Sequence, residues 1–116
     1  MQRKKINSNR NDRVASKVQT LVAEILRDNY AEDPLLSGVS LVGSVAHGGL
    51  QYVRLFFVSH DDNIANVQKK LDEETRAIRF ELAQKMNQKY VPEIKFMYDD
   101  TIERAARLDE LLKKIS

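Results

Sequence analysis

Two kinds of residue in this chain could do chemistry: carboxylates beside a histidine, and arginines at helical spacing. The acidic sets are His60-Asp61-Asp62 and Asp99-Asp100. Either could work as an acid/base pair or ligate a cation. Both also stand where an expected strand gives way to a helix, and there Asp accepts hydrogen bonds from the first free N–H groups. Capping therefore accounts for them without catalysis. The other histidine, His47, falls at a turn. The chain has no Cys, which removes disulfides and thiolate chemistry and fits a reducing compartment. It contains no Walker A loop, no G-x-G-x-x-G and no G-x-S-x-G, so phosphate cradles and nucleophile elbows are absent. These patterns name no catalytic residue, no metal ligand set and no cofactor.

The cations are more informative. Arg76 and Arg79 stand three apart on an expected helix, with Lys69 before them and Lys85 and Lys89 after. Arg104 and Arg107 repeat the spacing near the end. Residues 1–17 carry Arg3, Lys4, Lys5, Arg10, Arg13 and Lys17 against a single acid, Asp12. A guanidinium presents a planar fork of donors that suits phosphate, and a basic arm running into a helix suits a polyanion. The acids Glu73, Glu74, Glu81 and Glu103 interleave, so pairing within a helix competes for the same cations. The net charge is only +2, and it is the distribution that points to nucleic acid. Phe56, Phe57, Phe96 and Tyr98 lie in expected strands, where they serve either as stacking surfaces for bases or as core.

The elements that must position these groups follow from periodicity. Residues 1–9 are polar and aperiodic, which predicts a disordered basic arm. Val14, Val18, Leu21, Val22, Ile25 and Leu26 form one stripe, which predicts a helix from about Asn11 to Tyr30, capped by Asn11 or Asp12. Arg10, Arg13 and Lys17 fall beside that stripe and rim the edge where the helix meets the body. Asp33-Pro34 favours a turn. Val39 to Val45 alternates, His47-Gly48-Gly49 suits a hairpin turn, and Tyr52 to Ser59 alternates again, with Val53, Leu55 and Phe57 on one face. Ile64, Val67, Leu71, Ile78, Leu82 and Met86 keep a helical rhythm to near Lys89. As one rod of roughly 25 residues this would be about 37 Å long, against a radius of gyration near 13 Å for a domain of this size. So either the helix projects, or it bends or breaks, and a kink between Glu73 and Ala77 would let Phe80 pack. Pro92 blocks further helix, and Glu93 to Tyr98 alternates as a third strand. Asp100-Thr101-Ile102-Glu103 has the form of a capping box, and Ile102, Ala105, Leu108, Leu111, Leu112 and Ile115 can supply a packed face.

The 116 residues thus predict one α+β domain with a three-stranded mixed sheet and helices on one face. The basic, polar N-terminus has no apolar run after it, and no stretch reaches the length of a membrane span, so a cytoplasmic protein is expected. The residues alone leave three readings open. One is an RNA-binding domain. Another is a protein-interaction module that docks a partner through Phe80. The third is an enzyme using Asp99, Asp100 or His60.

A resemblance narrows these. Arg13-Val14-Ala15, Asp33-Pro34, Ile78-Arg79, Val91-Pro92-Glu93-Ile94-Lys95-Phe96, Tyr98-Asp99-Asp100-Thr101-Ile102-Glu103 and Arg107-Leu108-Asp109-Glu110-Leu111-Leu112 occur in the order found in ribosome-binding factor A of bacteria. The likeness spans about Arg10 to Leu112. It implies a type II KH-like domain over residues 10–116, ordered α-β-β-α(kink)α-β with a C-terminal helix. It implies a non-catalytic monomer that binds the free small (30S) ribosomal subunit, assists late maturation of the 5′ end of 16S rRNA, and is linked to growth in the cold. The family carries an Ala-x-Gly kink, for which this chain has Glu74-Thr75-Arg76. The Arg usual after Asp-Pro is Leu35, and the charged hairpin turn is His47-Gly48-Gly49. With this resemblance the expected RNA contacts are Arg10, Arg13, Lys17, Arg76, Arg79, Lys85, Arg104 and Arg107.

Overall fold

The computed structural model describes residues 2–48, 51–88 and 90–115, with side chains from Asn11 onward. The elements are α1 (Gln2–Asn29), a 3-10 turn (Leu36–Gly38), β1 (Val39–His47), β2 (Tyr52–Ser59), α2 (Ile64–Met86), β3 (Glu93–Tyr98) and α3 (Thr101–Ile115). Strands β1 and β2 pair antiparallel, and β3 returns through α2 to lie parallel to β2, giving the order β1-β2-β3. This is the expected mixed sheet.

Alternation decides which face is covered. Val53, Leu55 and Phe57 of β2 and Ile94 and Phe96 of β3 point to one side. There they join Val18, Val22 and Ile25 of α1 and Val67, Leu71, Ile78 and Leu82 of α2 in one buried cluster. Each such side chain contributes about 1.5–3 kcal/mol over its exposed state. Both helices therefore lie on the same face. The opposite face stays open at Tyr52 and Arg54 and half-covered at Phe56 and Val58. The helices also reach the sheet edges. Gln19 Nε2 donates to the Leu41 carbonyl at 3.3 Å, and Gln68 Nε2 donates to the Phe96 carbonyl at 2.8 Å. These bonds satisfy edge acceptors that would otherwise invite another strand.

Four expectations are corrected. Helix α1 begins at Gln2, ahead of the expected start near Asn11, so Asn11 and Asp12 lie inside the helix and do not cap it. Helix α2 runs unbroken through residues 73–77. No Pro or Gly interrupts it there, and the Thr75 hydroxyl bonds back to the Leu71 carbonyl at 2.8 Å without opening the backbone ladder. The second and third helices of the expected order are thus one element, and Phe80 remains 64% exposed. That helix stops at Met86 because Asn87 takes a left-handed conformation (φ 51°), its N–H bonded to the Ala83 carbonyl at 3.2 Å, an ending Asn tolerates well. Lys89 lies outside the described residues, as does Gly49 of the hairpin turn, whose neighbour Gly48 has φ 57°. Finally, α3 buries none of its residues. The core face is already closed by α1 and α2, and the thinnest dimension of the molecule, 18 Å, is one helix layer on one sheet layer.

Candidate nucleic-acid interface

At the start of β2 and β3 the chain forms a cleft of about 680 Å³, walled on one side by α2 and on the other by the two strands. Its cations are Arg54, Arg76, Arg79 and Lys95, with His47 and Tyr52 at the hairpin end and Asp72 and Glu93 as the acids. The placement follows from two periodicities. Thr75, Arg76 and Arg79 share a side of α2, three and four residues apart. Arg54 and Lys95 are direct partners in the parallel register of β2 and β3.

The four cations do different things. The Arg79 guanidinium donates from Nε to the Pro92 carbonyl and from Nη2 to the Val91 carbonyl, both at 3.2 Å. It holds the loop that delivers β3 and is already occupied. Lys95 Nζ stands 3.5 Å from an Asp72 carboxylate oxygen across exposed surface, a contact of small energetic worth that a phosphate could replace. Arg54 and Arg76 form no ion pair among the described residues and are exposed. Two unpaired guanidinium groups facing a cleft beside an exposed tyrosine can take phosphate through bidentate hydrogen bonds and a base through stacking.

Of the residues named from sequence, the structure brings Arg76 and Arg79 to this cleft and leaves the others outside it. Arg13 and Lys17 are exposed on α1 and line no part of it. The side chain of Arg10 lies outside the described residues. Lys85 stands 4.0 Å from Glu24 of α1. Arg104 pairs with Asp100 at 2.9 Å, and Arg107 is exposed on α3. The acidic sets are structural. Asp99 accepts from the Thr101 N–H at 3.0 Å and from the Thr101 hydroxyl. These bonds, the hydroxyl's first, hold its carboxyl below the usual aspartate range. Asp99 thus takes up the N–H of the first α3 residue, while the Asp100 carboxylate pairs with Arg104. Glu103 receives the Tyr98 hydroxyl, a bond that, with partial desolvation, pushes that phenol up. Beside His60, Asp61 accepts from the Asn63 N–H at 2.8 Å, and Asn63 caps α2 by accepting from the Asn66 N–H at 3.1 Å. The sequence reading missed Arg54, Tyr52 and Lys95. Alternation along β2 already put Tyr52 and Arg54 on one face, but only the strand register sets Lys95 beside them.

Comparison with known proteins bears on what such a cleft serves. The family model for ribosome-binding factor A matches residues 10–112. The chain belongs to the ribosome-binding factor A family. Within that family it is 34% identical over 108 residues to the protein of Coxiella burnetii, covering 92% of this chain and 90% of the relative. It is 33% identical over 107 residues to that of Limosilactobacillus fermentum, covering 90% and 88%. The fold is that of solved ribosome-binding factor A structures. The solution structure of a Thermotoga maritima relative superposes with a TM-score of 0.66 at 20% identity, covering 81% of this chain and 91% of that one. A homology model of Thermus thermophilus ribosome-binding factor A, fitted into a cryo-EM map of its complex with the 30S subunit, gives a TM-score of 0.61 at 15% identity, covering 73% and 90%. The α-β-β-α-β core of this family member is consistent with the type II KH-like arrangement. No helix among its described residues is long and apolar enough to cross a membrane.

Proposed function

We propose that this chain is a ribosome-assembly factor that binds the free small (30S) ribosomal subunit. In this reading it assists late maturation of the 5′ end of 16S rRNA as a non-catalytic RNA-binding monomer of the cytoplasm, with a role in growth in the cold. The observation that carries the reading is the pair of unpaired guanidinium groups, Arg54 and Arg76, facing the cleft of a ribosome-binding factor A family member. Arg13 and Lys17, exposed on α1, form a second basic edge, to which the sequence adds Arg10, and Lys85, Arg104 and Arg107 reach phosphate by leaving weak, exposed ion pairs or from open surface. Arg79 acts by fixing the Val91-Pro92 loop. Folded rRNA presents phosphates and 2′-hydroxyls more than readable base edges, so recognition rests on shape. Affinity comes largely from released counterions and falls steeply with salt.

Co-sedimentation of the purified chain with small subunits, large subunits and assembled ribosomes at two salt concentrations tests this. Selective, salt-sensitive association with free small subunits is expected. Equal association with all three particles would contradict it.

A further inference from the structure

On the side of α2 next to the cleft, a groove of about 490 Å³ runs between that helix and the end of α1, lined by Tyr30, Glu73, Glu74, Arg76, Ala77, Phe80 and Glu81. Phe80 is the feature that needs an occupant. It is a large aromatic left 64% exposed in mid-helix, while Ile78 and Leu82 on either side of it are fully buried. Glu73, Ala77, Phe80 and Glu81 recur at four, three and one residues and share one face. The small Ala77 leaves a shallow floor beside the ring. Glu74 is engaged, accepting from the Tyr30 hydroxyl at 2.8 Å and standing 3.8 Å from Lys70. Glu73 and Glu81 form no ion pair among the described residues. The local potential is negative enough to register on Tyr30. Burial first, then Glu74, Asp33 and Glu81, push its phenol up to about 12.

We propose that this groove binds a basic, arginine-containing segment of a partner protein in extended form. Three carboxylates, Glu73, Glu74 and Glu81, outnumber the single cation Arg76 in this lining, so phosphate is disfavoured here even though the neighbouring cleft suits it. An arginine meets every demand of the site: its guanidinium stacks flat on an aromatic face and pairs with a carboxylate through parallel hydrogen bonds. From Glu73 to Glu81 the helix rises about 12 Å, which three or four extended residues span. An aliphatic side chain between two arginines would fill the space above Ala77. Helix α2 would then present phosphate-seeking groups on one side and cation-seeking groups on the next, as suits a particle built of both RNA and protein.

The test uses the full chain and a fluorescein-labelled nonapeptide of alternating arginine and leucine, with a control in which glutamate replaces arginine, read by fluorescence anisotropy at low salt. The arginine peptide is expected to bind saturably and at least tenfold more tightly than the control. Phe80→Ala should weaken it about fivefold and Glu73→Lys with Glu81→Lys at least tenfold, while Arg13→Ala with Lys17→Ala leaves it unchanged. All five positions lie outside the buried core, so the variants keep it, and melting curves confirm that they are folded. No saturable binding, equal affinity for the two peptides, or unchanged affinity in the Phe80 and double-Glu variants overturns the proposal. So does loss of decauridylate binding on Phe80→Ala, which would make the groove an RNA surface. No ribosomal particle enters the assay, so its outcome is independent of the co-sedimentation result.

Discussion

At the scale of single residues, three side chains decide local structure. Asn87 closes α2 from the left-handed region, where a Cβ-bearing residue without a short polar side chain pays about 1–2 kcal/mol. Replacing it with Ala should lower stability by about 1 kcal/mol in a denaturant melt, and replacing it with Gly should not. Asn63 caps the other end of the helix, and Asn63→Ala should cost about 1 kcal/mol as well. Tyr30 bonds to Glu74 across the α1–α2 junction. Its phenol is raised from 10.0 to about 12 in the folded chain. A raised phenol favours the protonated folded form, so its contribution is complete below pH 10 and is lost as pH climbs from about 10 to 12. Stability should fall over that window in the wild type, and Tyr30→Phe should flatten the fall while costing about 1 kcal/mol at neutral pH.

At the scale of elements, packing separates α2 from α3 although both have an amphipathic sequence. Leu71→Ala should cost about 2–5 kcal/mol, because the residue is fully buried between helix and sheet. Leu111→Ala should change the unfolding free energy by no more than about 0.5 kcal/mol, because α3 is exposed along its length. Equal losses in the two variants would show that α3 is packed in solution. The strands and α2 were legible because β2 and β3 alternate strictly and the 64-67-71-78-82-86 stripe holds one phase. Legible in the same way were the turn chemistry at residues 60–63 and the helix stop before Pro92. The apolar residues of α3 were read as a packed face, but their spacing does not say whether a surface remains for them to cover, and none of them is buried. The expected break in α2 rested on the length of a rod and on finding a place for Phe80. The structure instead keeps the hydrogen-bond ladder and exposes the ring. Residues 2–9 lack apolar periodicity, so the pattern placed the start of α1 near Asn11 where the helix begins at Gln2.

At the scale of the whole molecule, the cations sort by what surrounds them. The arginines at positions 76 and 79 were visible as a helical pair, but their opposite roles were not. One guanidinium is spent on two backbone carbonyls and the other faces the cleft with Arg54, a neighbour brought there by the β2–β3 register. Arg79→Ala should therefore weaken both fold and binding, while Arg54→Ala and Arg76→Ala should weaken binding alone. The most direct measurement is the salt dependence of small-subunit binding for the wild type and the Arg54→Ala/Arg76→Ala double variant. Each phosphate contact contributes about 0.7–0.9 to the slope of log affinity against log salt concentration. Loss of both cleft arginines should therefore lower the slope by about 1.4 to 1.8 with an unchanged melting curve. A double variant that binds with the wild-type affinity and slope would contradict the assignment of the cleft as the RNA interface.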